Sequence, residues 1–404
     1  MPYRPSPDEL DEFLTRGVSD VFVRADLESL LRSGERRLRV KQGFDPTRPN
    51  LHLGHSVPLR KLRTLARWGH EIVLIIGDWT TQIGDPTDKD ESRPMMGHDE
   101  VLANAKTYLD QFQRIVPREN TTIVHQSEWF AKFGLRDVIE LASRFTAQQL
   151  LAREEFRRRQ AAGTPIPLKD LLYPLLQAHD SVAIQADVEV GGTDQQFNLL
   201  GGRQLQEKIG QRPQNVFITQ LLEGLDGQQM SKSKPQTAIW LLDPPAEMYG
   251  KVMALHDGLM PHYFEWATDL PQSEVRQLLA ALAQGELHPR DAKERLATQV
   301  VTELHSAEEA ASAAEAFRKT FRDGARPAEA VALSSAPAGD PAIERVLVHL
   351  GIAKSLGEAR RLVTQGGIRI NDVKAEPGTK VVMSGETFIQ RGPRNSWRVT
   401  WTAA

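Results

Sequence analysis

Ile72-Val73-Leu74-Ile75-Ile76 places five aliphatic side chains in a row, opened by Glu71 and closed by Gly77. Side chains on a strand alternate between its two faces, so an unbroken apolar run of this length describes a strand covered on both sides, as in a parallel sheet between layers of helix. The flanking sequence agrees. Residues 38–44 read as a strand, and 57–68 as a helix with Leu59, Leu62, Leu65 and Ala66 near helical spacing. Residues 98–116 read as a helix, and 121–124 as a further strand. Val188-Glu189-Val190 runs into a glycine turn, and Val216-Phe217-Ile218-Thr219 is the last strand expected. This alternation predicts an α/β chain that begins with a doubly wound parallel-sheet domain. Such sheets bind ligands beyond the carboxyl ends of their strands.

Around that domain the pattern is mostly helical. Residues 7–33 read as one helix, with Leu10, Phe13, Leu14, Val18, Val21 and Phe22 as its apolar stripe. Residues 137–160 read as one or two helices, 163–167 as a breaker and 168–186 as a helix, so the sheet domain (1–225) carries inserted helices at about 126–186. A loop opened by Asp226-Gly227 leads into helices at 245–256, 260–268, 273–284 and 289–318, a second domain over 226–321. Residues 322–340, rich in Ala, Pro, Gly and Ser, read as a linker. Two helices, 341–350 and one opened by Ser355, then short strands with turns at Asn371-Asp372 and Pro377-Gly378, make a small α+β domain over 341–404.

The chain of 404 residues has a net charge of −3, unevenly spread. Residues 341–404 hold ten Lys/Arg against five Asp/Glu, a net of +5 that leaves −8 on the remainder. A basic tail domain on an acidic body fits either polyanion binding or a merely soluble basic domain. No apolar run is long enough to span a membrane, no secretory signal is evident, and the lack of cysteine excludes disulfides and thiolate metal sites. A soluble cytoplasmic protein with no resident metal is expected.

Four stretches carry chemistry. In Thr47-Arg48-Pro49-Asn50-Leu51-His52-Leu53-Gly54-His55 two histidines sit where a strand hands over to a helix, a place of free N–H groups that suits a phosphate. Gly54 leaves room for a flat group to approach the backbone. Thr47, His52 and His55 are donors for an α-phosphate that gains charge in an in-line transition state. Far downstream, Met230-Ser231-Lys232-Ser233-Lys234 offers two cations, Lys232 and Lys234, on a polar loop that can swing over a leaving pyrophosphate. No Walker-type or dinucleotide glycine loop is present. After the buried strand at 72–76, Asp85 is placed to accept from a substrate ammonium, to cap a helix before Pro86, or both, while Lys89 and Arg93 can reach phosphate. Tyr173, Gln177 and Asp180 share one helical face as a polar pocket wall, and a buried carboxylate there can accept from a phenol hydroxyl.

These motifs, with Gly191-Gly192-Thr193-Asp194-Gln195, occur in an order that resembles the bacterial tyrosyl-tRNA synthetases, class I enzymes with a Rossmann-like catalytic domain. The resemblance implies that ATP, with Mg2+, activates L-tyrosine to the adenylate, and that tRNA(Tyr) then receives the tyrosyl group. It implies that Asp180 accepts from the substrate hydroxyl and that Asp85, Tyr173 and Gln177 hold its ammonium. Gln195 would face the tyrosine, and Gly192 and Asp194 the ribose. Thr47, His52 and His55 would stabilise the transition state, with Lys89, Arg93 and Lys232 closing over pyrophosphate. His52, Gly54, His55, Met230, Ser231, Lys232, Ser233 and Lys234 would line the ATP site. Residues 341–404 resemble a small RNA-binding module of ribosomal-protein type, in which Arg360, Arg361 and Arg369 would meet RNA phosphate. A homodimer is also implied.

Three positions depart from the pattern. Lys41 stands where one branch has a second tyrosine, Gln229 replaces the first lysine of the mobile motif, and His179 replaces an aromatic tyrosine. Either Lys234 supplies the missing charge or Lys232 acts alone; Lys41 has no assigned role. The alternatives are a tryptophanyl synthetase, a small-molecule adenylyltransferase and a non-catalytic RNA-binding paralogue, the last disfavoured because His52 and His55 are kept. Asp180 and the basic module speak against the first, and the downstream lysine loop with the RNA module against the second.

Overall fold

The computed structural model describes residues 1–87, 95–231, 234–321, 330–333, 342–371, 373–381, 385–392 and 395–401. Six strands form the first sheet: β1 (Val18–Phe22), β2 (Arg39–Phe44), β3 (Glu71–Ile76), β4 (Thr121–His125), β5 (Val188–Gly192) and β6 (Asn215–Thr219). Their order is β1-β6-β5-β2-β3-β4, with β1 antiparallel to β6 and the other neighbours parallel. The aliphatic run lies on β3, buried from Ile72 to Ile76. From β2 the chain moves outward to β3 and β4, then returns to the other side of β2 for β5 and β6. The order therefore reverses between β2 and β5, where a crevice at the strands' carboxyl ends is expected. Only two register pairs join these strands, Val40 with Val188 and Lys41 with Glu189; beyond them the strands part.

The helix expected over 7–33 is instead a helix (Pro7–Thr15), β1, and a second helix (Arg24–Ser33). Gly17 adopts φ +63°, which ends the first helix, and the β-branched residues after it pair along β6. Helical spacing joined two buried stripes, Leu10/Phe13/Leu14 and Leu27/Leu31, across what is an edge strand. Residues 137–160 hold three helices (Leu135–Ser143, Ala147–Leu151 and Glu154–Ala162), and 289–318 two (Pro289–Leu304 and Ala307–Phe321). Helix Leu168–Ala183 carries the polar face foreseen.

The chain forms two units, Met1–Ala311 and Ser312–Ala404. In the second, helices Ile343–His349 and Leu356–Thr364 cover a sheet of β7 (Ala330–Leu333), β8 (Ile368–Ile370), β9 (Val373–Lys374), β10 (Gly385–Arg391) and β11 (Asn395–Trp401), in the order β7-β11-β10-β8-β9. Its core joins Ile343, Val346, Leu347, Val363, Ile389 and Val399. The described middle of the expected linker is thus a strand, β7, parallel to β11. The rest of 322–340 lies outside the described residues.

Candidate active site

After β2 the chain runs through Asp45 and Pro46 to the histidine corner. Helix His98–Phe112 braces this run: Asn104 donates to the Pro46 carbonyl (3.0 Å), and Gln111 donates to that of Pro49 (2.8 Å) and accepts from the Leu51 N–H (2.8 Å). The backbone of Leu51 and Leu53 pairs with Leu241 and Ile239 (2.9 and 2.7 Å), and His52 bridges to Trp240. A tight turn, Leu53–His55, then opens helix Ser56–Arg67. The imidazoles of His52 and His55 lie 3.8 Å apart between centroids. Nδ1 of His55 stands 3.2 Å from both the N and the O of His52, which fixes the ring whichever nitrogen carries the proton. A Cβ on Gly54 would come within 3.0 Å of His52 Nδ1, so the missing side chain is what lets the rings meet.

The cationic loop arrives beside this corner. Met230 donates its N–H to the Leu222 carbonyl (3.0 Å), Gly224 to that of Gln228 (2.7 Å), and Met230 is buried. Gly227, at φ +72°, makes the turn. Lys234 pairs with Asp226 at 3.3 Å. Lys232 and Ser233 lie outside the described residues, as do Lys89 and Arg93.

Three further strand ends face the same space. Past β3, Gly77 lets Asp45 and Thr80 close over its backbone; any Cβ there would overlap both side chains. Asp45 accepts from Thr80 Oγ1 (2.7 Å) and from the Tyr173 hydroxyl (2.8 Å). Asp85 accepts from the Thr87 N–H (2.8 Å) and from Gln195 Nε2 (2.8 Å). It caps its own turn, and the next described helix is His98–Phe112, so no helix among the described residues is capped by it. Asn198 donates to Gln195 Oε1 (3.0 Å), and Arg153 donates to Asn198 (3.0 Å) and to Thr87 Oγ1 (2.8 Å). The five residues Asp85, Gln195, Asn198, Arg153 and Thr87 thus form a closed ring of hydrogen bonds. At the end of β5, a Cβ on Gly192 would come within 2.6 Å of Asp194 and Leu221.

Asp180 is buried and accepts from Gln126 Nε2 (2.8 Å) and Trp129 Nε1 (3.2 Å). Burial pushes its carboxyl up to about 7, against the pull of Lys41 and of those two donors. Burial and the neighbouring carboxylates raise the Tyr173 phenol well above its ordinary range. Among the described residues, Gln177 Oε1 is buried without a hydrogen-bond partner, as suits an acceptor kept for a ligand. His179 packs between Phe130 and Phe133, with centroids 5.4 and 4.9 Å away, and burial holds its pKa at about 4, so it behaves as an aromatic ring.

Asp45, Thr80, Asp85, Gln126, Tyr173, Gln177, Asp180 and Gln195 line one cavity of about 690 Å³ at the crevice between β2 and β5. Thr47, His52, Gly54 and His55 lie on its wall, as do Gly192, Asp194, Met230 and Ser231. Volume and polarity suit a nucleotide beside a small polar molecule.

Residues 33–322 match the tRNA synthetases class I (W and Y), and residues 343–386 the S4 domain. Tyrosine–tRNA ligase of Dehalococcoides mccartyi strain CBDB1 is 45% identical over 390 residues, covering 96% of this chain and 98% of the relative. That of Geobacter sulfurreducens is 42% identical over 394 residues, covering 96% and 98%. The chain belongs to the tyrosine–tRNA ligase family. Among solved structures, an Aspergillus nidulans mitochondrial tyrosyl-tRNA synthetase shares the fold (TM-score 0.64, 23% identity, 77% of this chain and 94% of that one). So does a Plasmodium falciparum tryptophanyl-tRNA synthetase (TM-score 0.58, 13% identity, 78% and 90%).

In and around this cavity, Asp45, Gln126, Trp129 and Arg153 were not singled out from sequence. Gln126 and Trp129 follow β4, and the strand-end rule that drew attention to Asp85 applies equally there. In the second unit, Arg360 and Arg361 are exposed on the helix whose buried face is Ala359 and Val363, and Arg369 is exposed on β8.

Proposed function

We propose that this chain activates L-tyrosine with ATP and then charges tRNA(Tyr). In the first step a carboxylate oxygen of tyrosine bonds to the α-phosphorus, and the bond from that phosphorus to the pyrophosphate oxygen breaks. In the second, a ribose hydroxyl at the 3′ end of the tRNA attacks the tyrosyl carbonyl and loses its proton, and AMP leaves. The observation that carries the reading is the convergence of the histidine corner, the foot of the lysine loop, and the Asp85 and Asp180 walls on one cavity.

Asp180, held by Gln126 and Trp129, accepts from the substrate hydroxyl. Asp85 and Gln177 take its ammonium, and Tyr173 acts beside them, its hydroxyl on Asp45. Gln195 faces the tyrosine; Gly192 and Asp194 hold the ribose. Thr47, His52 and His55 meet the α-phosphate, and the positive end of helix Ser56–Arg67 adds to them. Lys89, Arg93 and Lys232 are assigned to pyrophosphate from the family resemblance, with Ser233 and Lys234 beside them. No side chain is called on to form a covalent intermediate, so rate enhancement comes from positioning and electrostatics. ATP enters as its magnesium complex. Both oxygens of Asp45 are engaged by protein donors, which fits a metal carried by the phosphates.

The division into 1–225, 226–321, a linker and an RNA-binding domain, with Arg360, Arg361 and Arg369 on RNA phosphate, belongs to the same proposal. So does a homodimer, for which exposed Leu135, Ile139 and Leu168 supply apolar surface. No helix among the described residues is long and apolar enough to cross a membrane. A cytoplasmic location is proposed from the cysteine-free composition. An ATP–pyrophosphate exchange assay with a panel of amino acids tests the reading. Tyrosine should drive exchange and tryptophan should not; exchange with tryptophan alone overturns it.

A further inference from the structure

Lys41 and Glu189 face each other across β2 and β5, at the last register pair before the strands part. The Lys41 ammonium lies 2.8 Å from the Glu189 carboxylate, and the two residues are 0% and 1% exposed. The ammonium also donates to the Gln177 carbonyl (3.0 Å) and to Ser181 Oγ (2.9 Å), which engages all three of its hydrogens. Glu189 accepts from Ser181 Oγ (3.1 Å) and from Gln214 Nε2 (2.5 Å). Gln177 and Ser181 flank Asp180 on helix Leu168–Ala183. Buried ion pairs are weak contributors to stability against apolar residues of the same volume, so stability alone is a poor account of this one.

We propose that Lys41 and Glu189 are a positioning and charge-setting pair for the tyrosine pocket: Lys41 seats the turn that bears Asp180 on the sheet and favours its carboxylate form, and Glu189 limits that bias. The proposal rests on the reading of Asp180 as acceptor of the substrate hydroxyl. It gives a role to the residue that stands in place of a second hydroxyl-binding tyrosine. Lys41 itself, with every donor engaged, does not touch the substrate.

The groups around Asp180 allow a test by sign. Lys41 faces it from β2 and Glu189 from β5; Gln126 and Trp129, after β4, are neutral. On its own helix stand His179, neutral near pH 7, and Tyr173, whose phenol stays protonated and on which Asp45 and Asp85 also act. A phenol donates to the carboxylate and not to the protonated acid in the same geometry. Tyrosine binding therefore strengthens as pH rises through the titration of Asp180. Loss of the Lys41 charge moves that midpoint up, and loss of the Glu189 charge moves it down. A pair that served only to hold the fold would weaken binding in both variants and leave the midpoint in place.

Equilibrium binding of tyrosine to the full chain is measured from pH 5.5 to 9 for wild type, Lys41→Met, Glu189→Gln and the double variant, with ATP affinity as control. The Lys41→Met midpoint should rise by about one unit, the low end for a neighbouring charge, and the Glu189→Gln midpoint should fall. At pH 7 that shift lowers the carboxylate fraction from about one half to about one eleventh, roughly a fivefold weaker binding of tyrosine. The double variant should lie between the single ones. Midpoints that stay in place or move together overturn the proposal, as does an equal change in ATP affinity. If Lys41→Met does not fold, Glu189→Gln and the double variant still decide by the direction of their shifts. Asp180→Asn separates the two levels. If it leaves the pH dependence intact, the reading of Asp180 fails; if it abolishes that dependence while the pair variants do not move it, only the pair proposal fails.

Discussion

Asp180→Asn changes the pocket with almost no change of shape. The carboxylate accepts from Gln126 at 2.8 Å and from Trp129 at 3.2 Å. An amide offers one acceptor oxygen and one NH2 group, so in either orientation one of these donors meets another donor. On the proposed reading the substrate hydroxyl loses a charged acceptor as well. Hydrogen bonds to charged groups contribute about 1.5–3 kcal/mol, so this second loss alone predicts roughly a 10- to 150-fold fall in kcat/KM for tyrosine. Phenylalanine has no hydroxyl to lose and should be little affected, so the ratio of the two substrates falls by a similar factor. ATP–pyrophosphate exchange measures both substrates, with the KM for ATP as control. A stability test accompanies it. Burial lifts the folded-state pKa of Asp180 to about 7, above the ordinary carboxyl value of 3.8. The folded state therefore holds the proton longer, and the stability this group contributes is present below pH 3.8 and lost as pH rises to about 7. Denaturant titrations of the variant should lack that component. Unchanged kcat/KM for tyrosine, or an equal loss with phenylalanine, would refute the assignment of the hydroxyl to Asp180.

Gly54→Ala places a methyl 3.0 Å from His52 Nδ1 and should lower the exchange kcat at least about tenfold, with the KM for tyrosine nearly unchanged; a KM effect alone would point away from the phosphate. Lys61 donates to the Phe13 carbonyl at 2.7 Å, and burial, helped by Arg16, holds its pKa at about 7. Between there and 10.5 the unfolded chain binds the extra proton, so stability should rise with pH. Lys61→Met should flatten that rise in urea titrations, and an unaltered slope contradicts the burial argument. Removal of residues 341–404 should spare adenylate formation and weaken tRNA charging, read by exchange and aminoacylation side by side. Loss of both in equal measure would make the module structural.

Strand β3 was legible because burial on both faces leaves an aliphatic run that no other element here imitates. β1 was not. A five-residue edge strand shows no run, and its two apolar ends continued a helical spacing already set by Leu10, Phe13 and Leu14. In the site, the histidine corner, Asp85 and the Tyr173 face stood out because each lies within one local motif. Asp45, Gln126 and Arg153 did not, since their partners are 35 to 128, 54 and 45 to 66 positions away, separations no local pattern spans. Lys41 and Glu189 were more readable than they were read. A lysine in one strand expected to be buried and a glutamate in another are a polar anomaly apiece, and together they are complementary.

The hydrogen-bonded circuit through Asp85, Gln195, Asn198, Arg153 and Thr87 has a bearing on attempts to redesign this enzyme for other amino acids. Each member both gives and receives its orientation, so a library that varies one position at a time will meet a misfit in two neighbours at every step. Such positions would score as intolerant and be set aside. Productive variants should arise when several members change together, which calls for libraries drawn along the circuit and not along the sequence.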